Sequence, residues 1–376
     1  MHDSALVFFT AVAIVLCLLP LPMQWRARNT GTLLNIFWNV VGNTTWFLNA
    51  VVWWNRYDNR APVLCDFSVK LQTGIAPGLT AASLCINRRL ASIAMSRAVT
   101  STPNKRRIDL AIDLSLGVGL PIVIMALSYI VQMHRYDIFE GFGCEMAFYP
   151  SIPALFILYL APIVLGVISA IYGGLAVSYF LSRRLQFSAL LKSSQSGLDT
   201  NQYIRLVALA SLDLFISLPL NIFFLAISVP AAVARQWPGL ADVHYNWLRV
   251  DLFPAASLEP TRLSIVIRML ARWVWPALAI LFFIFFGVSR DAIAEYWRYY
   301  NWVVSKLRGM SGVKTSAPTL FVPKLGSAVA EPLGAQWNSP RRDKDDLEVG
   351  LGSAPSAFSS GPRGMAVVVK VEKETV

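Results

Sequence analysis

Few side chains in this sequence could do chemistry, and most of those lie inside or beside apolar stretches. Asp66 and Lys70 stand four residues apart, which on a helix puts both on one face. Two readings follow, a local ion pair or the wall of a polar cavity. Arg268 and Arg272 repeat that spacing in the last apolar stretch, where snorkelling to an interface accounts for Arg268 better than for Arg272. Asn39, Asn43, Thr44, Thr45 and Asn49 crowd a second stretch, and Asp213 and Asn221 fall in another. A charge in lipid costs at least about 2.5 kcal/mol unless it is paired or wetted, so such residues predict inward-facing polar surfaces.

Metal and redox chemistry find little support. The histidines are His2, His134 and His244, the cysteines Cys17, Cys65, Cys85 and Cys144, with no CxxC and no His/Cys cluster. HExxH and GxSxG are absent as well, which points away from an enzyme, a cofactor or a bound metal.

The elements that must position these residues are membrane helices. With 55% hydrophobic and only 15% charged residues, the chain is too apolar for an ordinary soluble protein. A crossing takes about 20 mainly apolar residues. Seven segments qualify, at 4–23, 32–54, 66–90, 110–132, 152–181, 204–229 and 263–288. The expected fold is an all-α integral membrane protein, a seven-transmembrane-helix bundle occupying residues 1–290. A short amphipathic helix on the membrane surface follows at 291–309, and a disordered cytosolic tail at 310–376, rich in Ser, Pro and Gly. The odd-numbered loops carry twelve Lys and Arg against six in the even ones, which predicts an extracellular N-terminus and a cytosolic C-terminus. The net charge of +11 thus belongs to loops beside a bilayer, not to a nucleic-acid surface.

That topology places Cys65 and Cys144 on the same outer side, either as a disulfide or as two unrelated thiols. Arg88, Arg89, Arg97, Lys105, Arg106, Arg107, Arg183 and Arg184 line the inner side, where they could dock an acidic partner or membrane lipids. Pro162, Pro219 and Pro276 interrupt the last three spans and are candidate hinges.

Several stretches give the chain a family likeness: Trp25-Arg26-Ala27-Arg28-Asn29, the segment from Leu64-Cys65-Asp66 to Asn87-Arg88-Arg89-Leu90, and His134-Arg135-Tyr136-Asp137-Ile138 with Gly143-Cys144. Ser217-Leu218-Pro219-Leu220-Asn221 and the Phe282 to Gly287 run complete it. In order and placement the chain resembles the fungal lipopeptide (a-factor-type) mating pheromone receptors, the class D G-protein-coupled receptors. The resemblance implies a plasma-membrane receptor for a farnesylated peptide pheromone, coupled to a heterotrimeric G protein and a mating kinase cascade. It implies a Cys65–Cys144 disulfide and matches Arg88 and Arg89 to the family's basic inner end of span three; with Arg97, Arg106, Arg107, Arg183 and Arg184 of the cationic inner face they are the candidate G-protein-coupling residues. For the ligand, the candidates are Asp66, Lys70, Glu140, Glu145, Tyr245, Trp247, Arg249, Arg268 and Arg272. A homodimer is compatible with the sequence. The rival reading is a small-solute or ion transporter or channel; a retinal protein is set aside because 263–288 holds no lysine for a Schiff base.

Overall fold

The structure, a computed structural model, describes residues 4–95, 103–182, 200–255, 262–288 and 290–310; at some helical positions, Asp213 and Arg268 among them, it describes the backbone alone. Arg97, Arg183, Arg184 and the expected tail after Met310 lie outside the described residues.

The described residues are mainly helical. Helix α1 (Ser4–Leu18) is followed by the short α2 (Leu21–Arg26), with Pro20 at the break, then by α3 (Thr30–Val52) and α4 (Pro62–Met95). The next rod joins α5 (Pro103–Leu114) to α6 (Leu120–Val131) through the π-helical turn Ser115–Gly119. Another runs from α7 (Ile152–Ala154) through the π segment Leu155–Leu160 into α8 (Ala161–Ser182). Then come α9 (Thr200–Ala234), the single turn α10 (Leu240–Val243), α11 (Arg262–Phe286) and α12 (Arg290–Met310). Each segment expected to be helical is helical, with ends displaced by a few residues.

Five helical stretches are long and apolar enough to cross a membrane: Ser4–Arg26, Asn104–Val131, Ile152–Ser182, Phe215–Ala234 and Met269–Phe286. Helices α3 and α4 are equally long but more polar, and they are the most thoroughly enclosed by protein. Asn35, Asn39, Asn43 and Asn49 are all buried in α3, and most of α4 from Gly74 to Asn87 is buried. Polar side chains are tolerated there because they bond inside the bundle. Asn39 and Asn43 donate to the carbonyls one turn back at 2.9 Å, and Asn87 donates to Ser169 Oγ of α8 at 3.0 Å.

One contact shows how a proline is accommodated. Pro121 has no N–H to return to the Gly117 carbonyl, and the indole of Trp38 in α3 donates to that oxygen at 2.8 Å. The same indole lies against Gly78 of α4, where a Cβ would overlap it. Pro162 is buried directly after the second π segment, while Pro219 and Pro276 lie within α9 and α11, whose helical backbone continues through them.

A sheet corrects the expectation of a purely α fold. Strands β1 (Tyr136–Phe139), β2 (Gly143–Glu145) and β3 (Val250–Phe253) form it in the order β2-β1-β3, β1 pairing antiparallel with β2 and parallel with β3. Two loops that the sequence leaves irregular are thereby joined at one end of the bundle, the sheet end.

Trp38→Phe keeps most of the ring volume but removes the donor to Gly117. We expect a loss of about 1–3 kcal/mol, seen as a lower midpoint of thermal unfolding in detergent. An unchanged midpoint would show that the carbonyl is satisfied without the indole.

Candidate functional site

The sheet end is assembled around Cys144. Its sulfur is bonded to Cys65 near the start of α4, with the two Cα atoms 5.3 Å apart. Its backbone is gripped as firmly, because the Cys144 N–H donates to Asn49 Oδ1 at 2.9 Å and its carbonyl accepts from Gln72 Nε2 at 2.8 Å. Asn49 in turn donates to Ser68 Oγ at 3.0 Å, so α3, α4 and β2 meet through one amide. Gly143 has φ +84°, and a Cβ there would run into Asn49, which makes glycine the residue this approach requires.

The Asp66–Lys70 pair that the spacing allows is not formed. Asp66 instead takes both arms of Arg135, at 2.9 and 2.7 Å, tying α4 to the segment entering β1. The planar guanidinium fork fits a carboxylate better than an ammonium does, and geometry decides. Lys70 turns to α6 and donates to Ser128 Oγ at 3.1 Å and Gln132 Oε1 at 2.8 Å.

Below β2 lies a cavity of about 520 Å³, of a size that takes a ligand. Its walls come from α3, α4, the π segment before α8, α9 and α11, and most of them are apolar, as with Phe148, Phe224 and Trp275. Gln72, Tyr159 and Asn221 supply polar points. Two charges border it. Arg272 of α11 is buried, donates to Glu145 Oε1 of β2 at 3.1 Å, and lies 3.5 Å from the centre of the Phe142 ring. A cation this deep needs a carboxylate, and β2 presents one.

Of the expected ligand residues, the structure brings Glu145 and Arg272 to the cavity; Asp66, Lys70, Glu140, Tyr245, Trp247 and Arg249 are not among the residues that line it. Glu140 accepts from the Ala255 N–H at 2.8 Å, Trp247 packs with Tyr129 and His244, and Tyr245 is exposed. Arg249 forks onto Asp251 at 2.7 and 2.5 Å, and those hydrogen bonds hold the Asp251 carboxyl below its ordinary range. Asp137 goes the other way: burial pushes it up, with Asp251 and Glu145 adding to the push against His134. Trp46, Gln72, Tyr159, Phe224 and Trp275 were not foreseen as cavity residues, because aromatic and amide residues in apolar helices look like ordinary packing.

At the opposite end Arg88 is engaged by Asp113 at 2.8 Å and Asp109 at 3.4 Å, and Arg89 donates to the Arg28 carbonyl at 3.0 Å. Arg106 and Arg107 are exposed at the start of α5. Arg26 pairs with Glu295 at 2.9 Å, fixing α2 against α12.

Apolar helices of bilayer length, packed about two more polar ones and roofed by a tethered sheet, define a multi-pass membrane protein. The chain belongs to the family described as STE3, Pheromone A receptor, whose profile matches residues 5–306. It is 36% identical over 299 residues to the Pheromone B alpha 3 receptor of Schizophyllum commune, covering 80% of this chain and 48% of that protein. Pheromone receptor 1 of Mycosarcoma maydis is 31% identical, over 79% of this chain and 83% of that one. The Pheromone a factor receptor of Saccharomyces cerevisiae is 22% identical, over 79% and 62%. The chain spans about half the length of several Schizophyllum relatives it matches. No solved structure matches it significantly.

Digestion of the folded protein without reductant should release one peptide pair linked through Cys65 and Cys144, seen by mass spectrometry; alkylation of both thiols in folded protein would exclude the bond. Cys65→Ser should cost about 2–4 kcal/mol of stability.

Proposed function

We propose that the protein is a plasma-membrane receptor crossing the bilayer seven times, with its sheet end outside the cell and its C-terminus in the cytosol. Its ligand is a farnesylated peptide mating pheromone. Binding activates a heterotrimeric G protein and, through it, a mating MAP-kinase cascade. The observation that carries this reading is the mostly apolar cavity bordered by the Arg272–Glu145 pair beneath a disulfide-tethered roof. A prenyl chain needs such a surface, and a short peptide needs a few polar anchors at its rim.

Counting α3 and α4 as the remaining crossings gives an odd number of spans, in line with the surplus of Lys and Arg in the odd-numbered loops. Their polar side chains face protein, which removes the cost of placing them at membrane depth. Arg97, Arg106, Arg107, Arg183 and Arg184 are the proposed G-protein contacts; Arg88 and Arg89 help by holding α4 against neighbouring segments. Pro162, Pro219 and Pro276 are proposed to absorb the change in helix packing on activation. Exposed Trp297, Tyr300 and Trp302 in α12, with Arg298 and Lys306, suit a helix resting on membrane lipids. Two copies could associate as a homodimer through lipid-facing surfaces.

The receptor reading makes the protein a non-enzymatic signal transducer. The transporter or channel alternative gains nothing from Asp66 and Lys70, each held by partner side chains, and Arg272 at the cavity is paired with Glu145.

The test is a panel of synthetic farnesylated peptides scored by nucleotide exchange on a co-expressed G protein. Dose-dependent exchange that disappears when the farnesyl group is omitted is expected. Solute flux without exchange would overturn the proposal. In the same assay Arg272→Gln should raise the half-maximal pheromone concentration at least tenfold, about 1.4 kcal/mol of binding. A response equal to wild type would remove Arg272 from the site.

A further inference from the structure

The sheet register sets three carboxylates in a row. Glu145 of β2 faces Asp137 of β1, and Asp137 faces Asp251 of β3. Like charges directly opposite one another destabilise a sheet, so each needs an answering cation. The outer two have arginines, Arg272 on Glu145 and Arg249 on Asp251. The nearest arginine to the middle carboxylate in sequence, Arg135, is committed to Asp66.

Asp137 meets His134 instead. His134 Nε2 lies 2.6 Å from Asp137 Oδ1 and 3.7 Å from Asp251 Oδ2, and the His134 side chain is only 8% exposed. One donor atom from each of the three residues lies within 4.8 Å of the other two. A neutral imidazole supplies one lone pair or one N–H to this cluster but no charge. An imidazole nitrogen and two carboxylate oxygens are the donors that zinc-type ions take, at about 2.0–2.2 Å from the metal. Atoms at those distances from one ion sit about 3–3.5 Å apart in a tetrahedron, a spacing that the 2.6 and 3.7 Å separations bracket. Asp251 keeps lone pairs for a metal after taking the Arg249 fork, since a carboxylate has about four.

We infer that His134, Asp137 and Asp251 form a binding site for a divalent transition-metal ion of the zinc type, with water completing the coordination. The ion staples β1 to β3, and so joins the loop after α6 to the loop after α9. It sits one strand away from Glu145, the carboxylate that pairs with Arg272 at the cavity. Zinc occupancy therefore stiffens the roof of the cavity without touching a ligand inside it.

The experiment uses the full chain in detergent, stripped with chelator, and needs no pheromone, so it stands apart from the receptor assay. Zinc chloride is titrated by calorimetry, and the thermal midpoint is followed in parallel. One zinc per chain and a raised midpoint are expected, with magnesium giving neither. His134→Gln and Asp137→Asn should each weaken zinc binding at least tenfold. Arg249→Gln, which frees Asp251 from its competing cation, should tighten it, so the proposal stays testable even where a ligand variant folds poorly. No zinc binding to the wild type, or the same affinity in all four proteins, would overturn the site.

Discussion

Cys144 is held at three points at once: its sulfur by Cys65, its N–H by Asn49 and its carbonyl by Gln72. The two amides act as the neighbouring strand that β2 lacks on its bundle side, satisfying backbone groups that would otherwise be buried unpaired. Everything at the sheet end is referred to this anchorage. β1 takes its register from β2, β3 takes its register from β1, and Glu145, next in sequence, is aimed at Arg272. A loop fixed only by its disulfide could pivot about the bond. Hydrogen bonds to both the N–H and the carbonyl of that one residue remove that freedom.

Arg272 has the complementary part in α11. Its burial is affordable only with Glu145 in place and the Phe142 ring against its guanidinium face. Loop and helix therefore depend on each other, since displacing β2 would leave a buried cation without its partner. Asn43 adds a weaker link on the same side of the bundle, reaching the Trp275 carbonyl at 3.4 Å. Packing around the cavity is thus coupled to the position of the roof through a small number of polar contacts, while the apolar walls supply most of the area.

The helices were legible because bilayer-length apolar runs leave a strong mark on a sequence. So was Arg272, since a cation deep in an apolar run has few explanations. The sheet was not. Tyr136-Asp-Ile-Phe139 and Gly143-Cys-Glu145 are too short to show alternation, and the parallel pairing of Ile138 with Leu252 joins segments with two long helices between them. The Asp66–Lys70 spacing misled because it encodes proximity and not geometry; Arg135, distant in sequence, offered the better-shaped partner. Gln72 and Trp275 carried no signal, for an amide or indole facing a cavity has the same sequence neighbourhood as one facing another helix.

The parallel pairing of β1 with β3 has a consequence for biogenesis. The chain emerges from the ribosome from its N-terminus, so Cys65, Asn49, Gln72 and Cys144 all exist before β3 has been made, and Arg272 comes later still. The anchorage can form on a partial bundle, whereas the third strand must wait until the segment after α9 is made, and the buried ion pair until α11 arrives. Quality control that senses an unfinished roof would accordingly report on segments made late, with Val250–Phe253 among them.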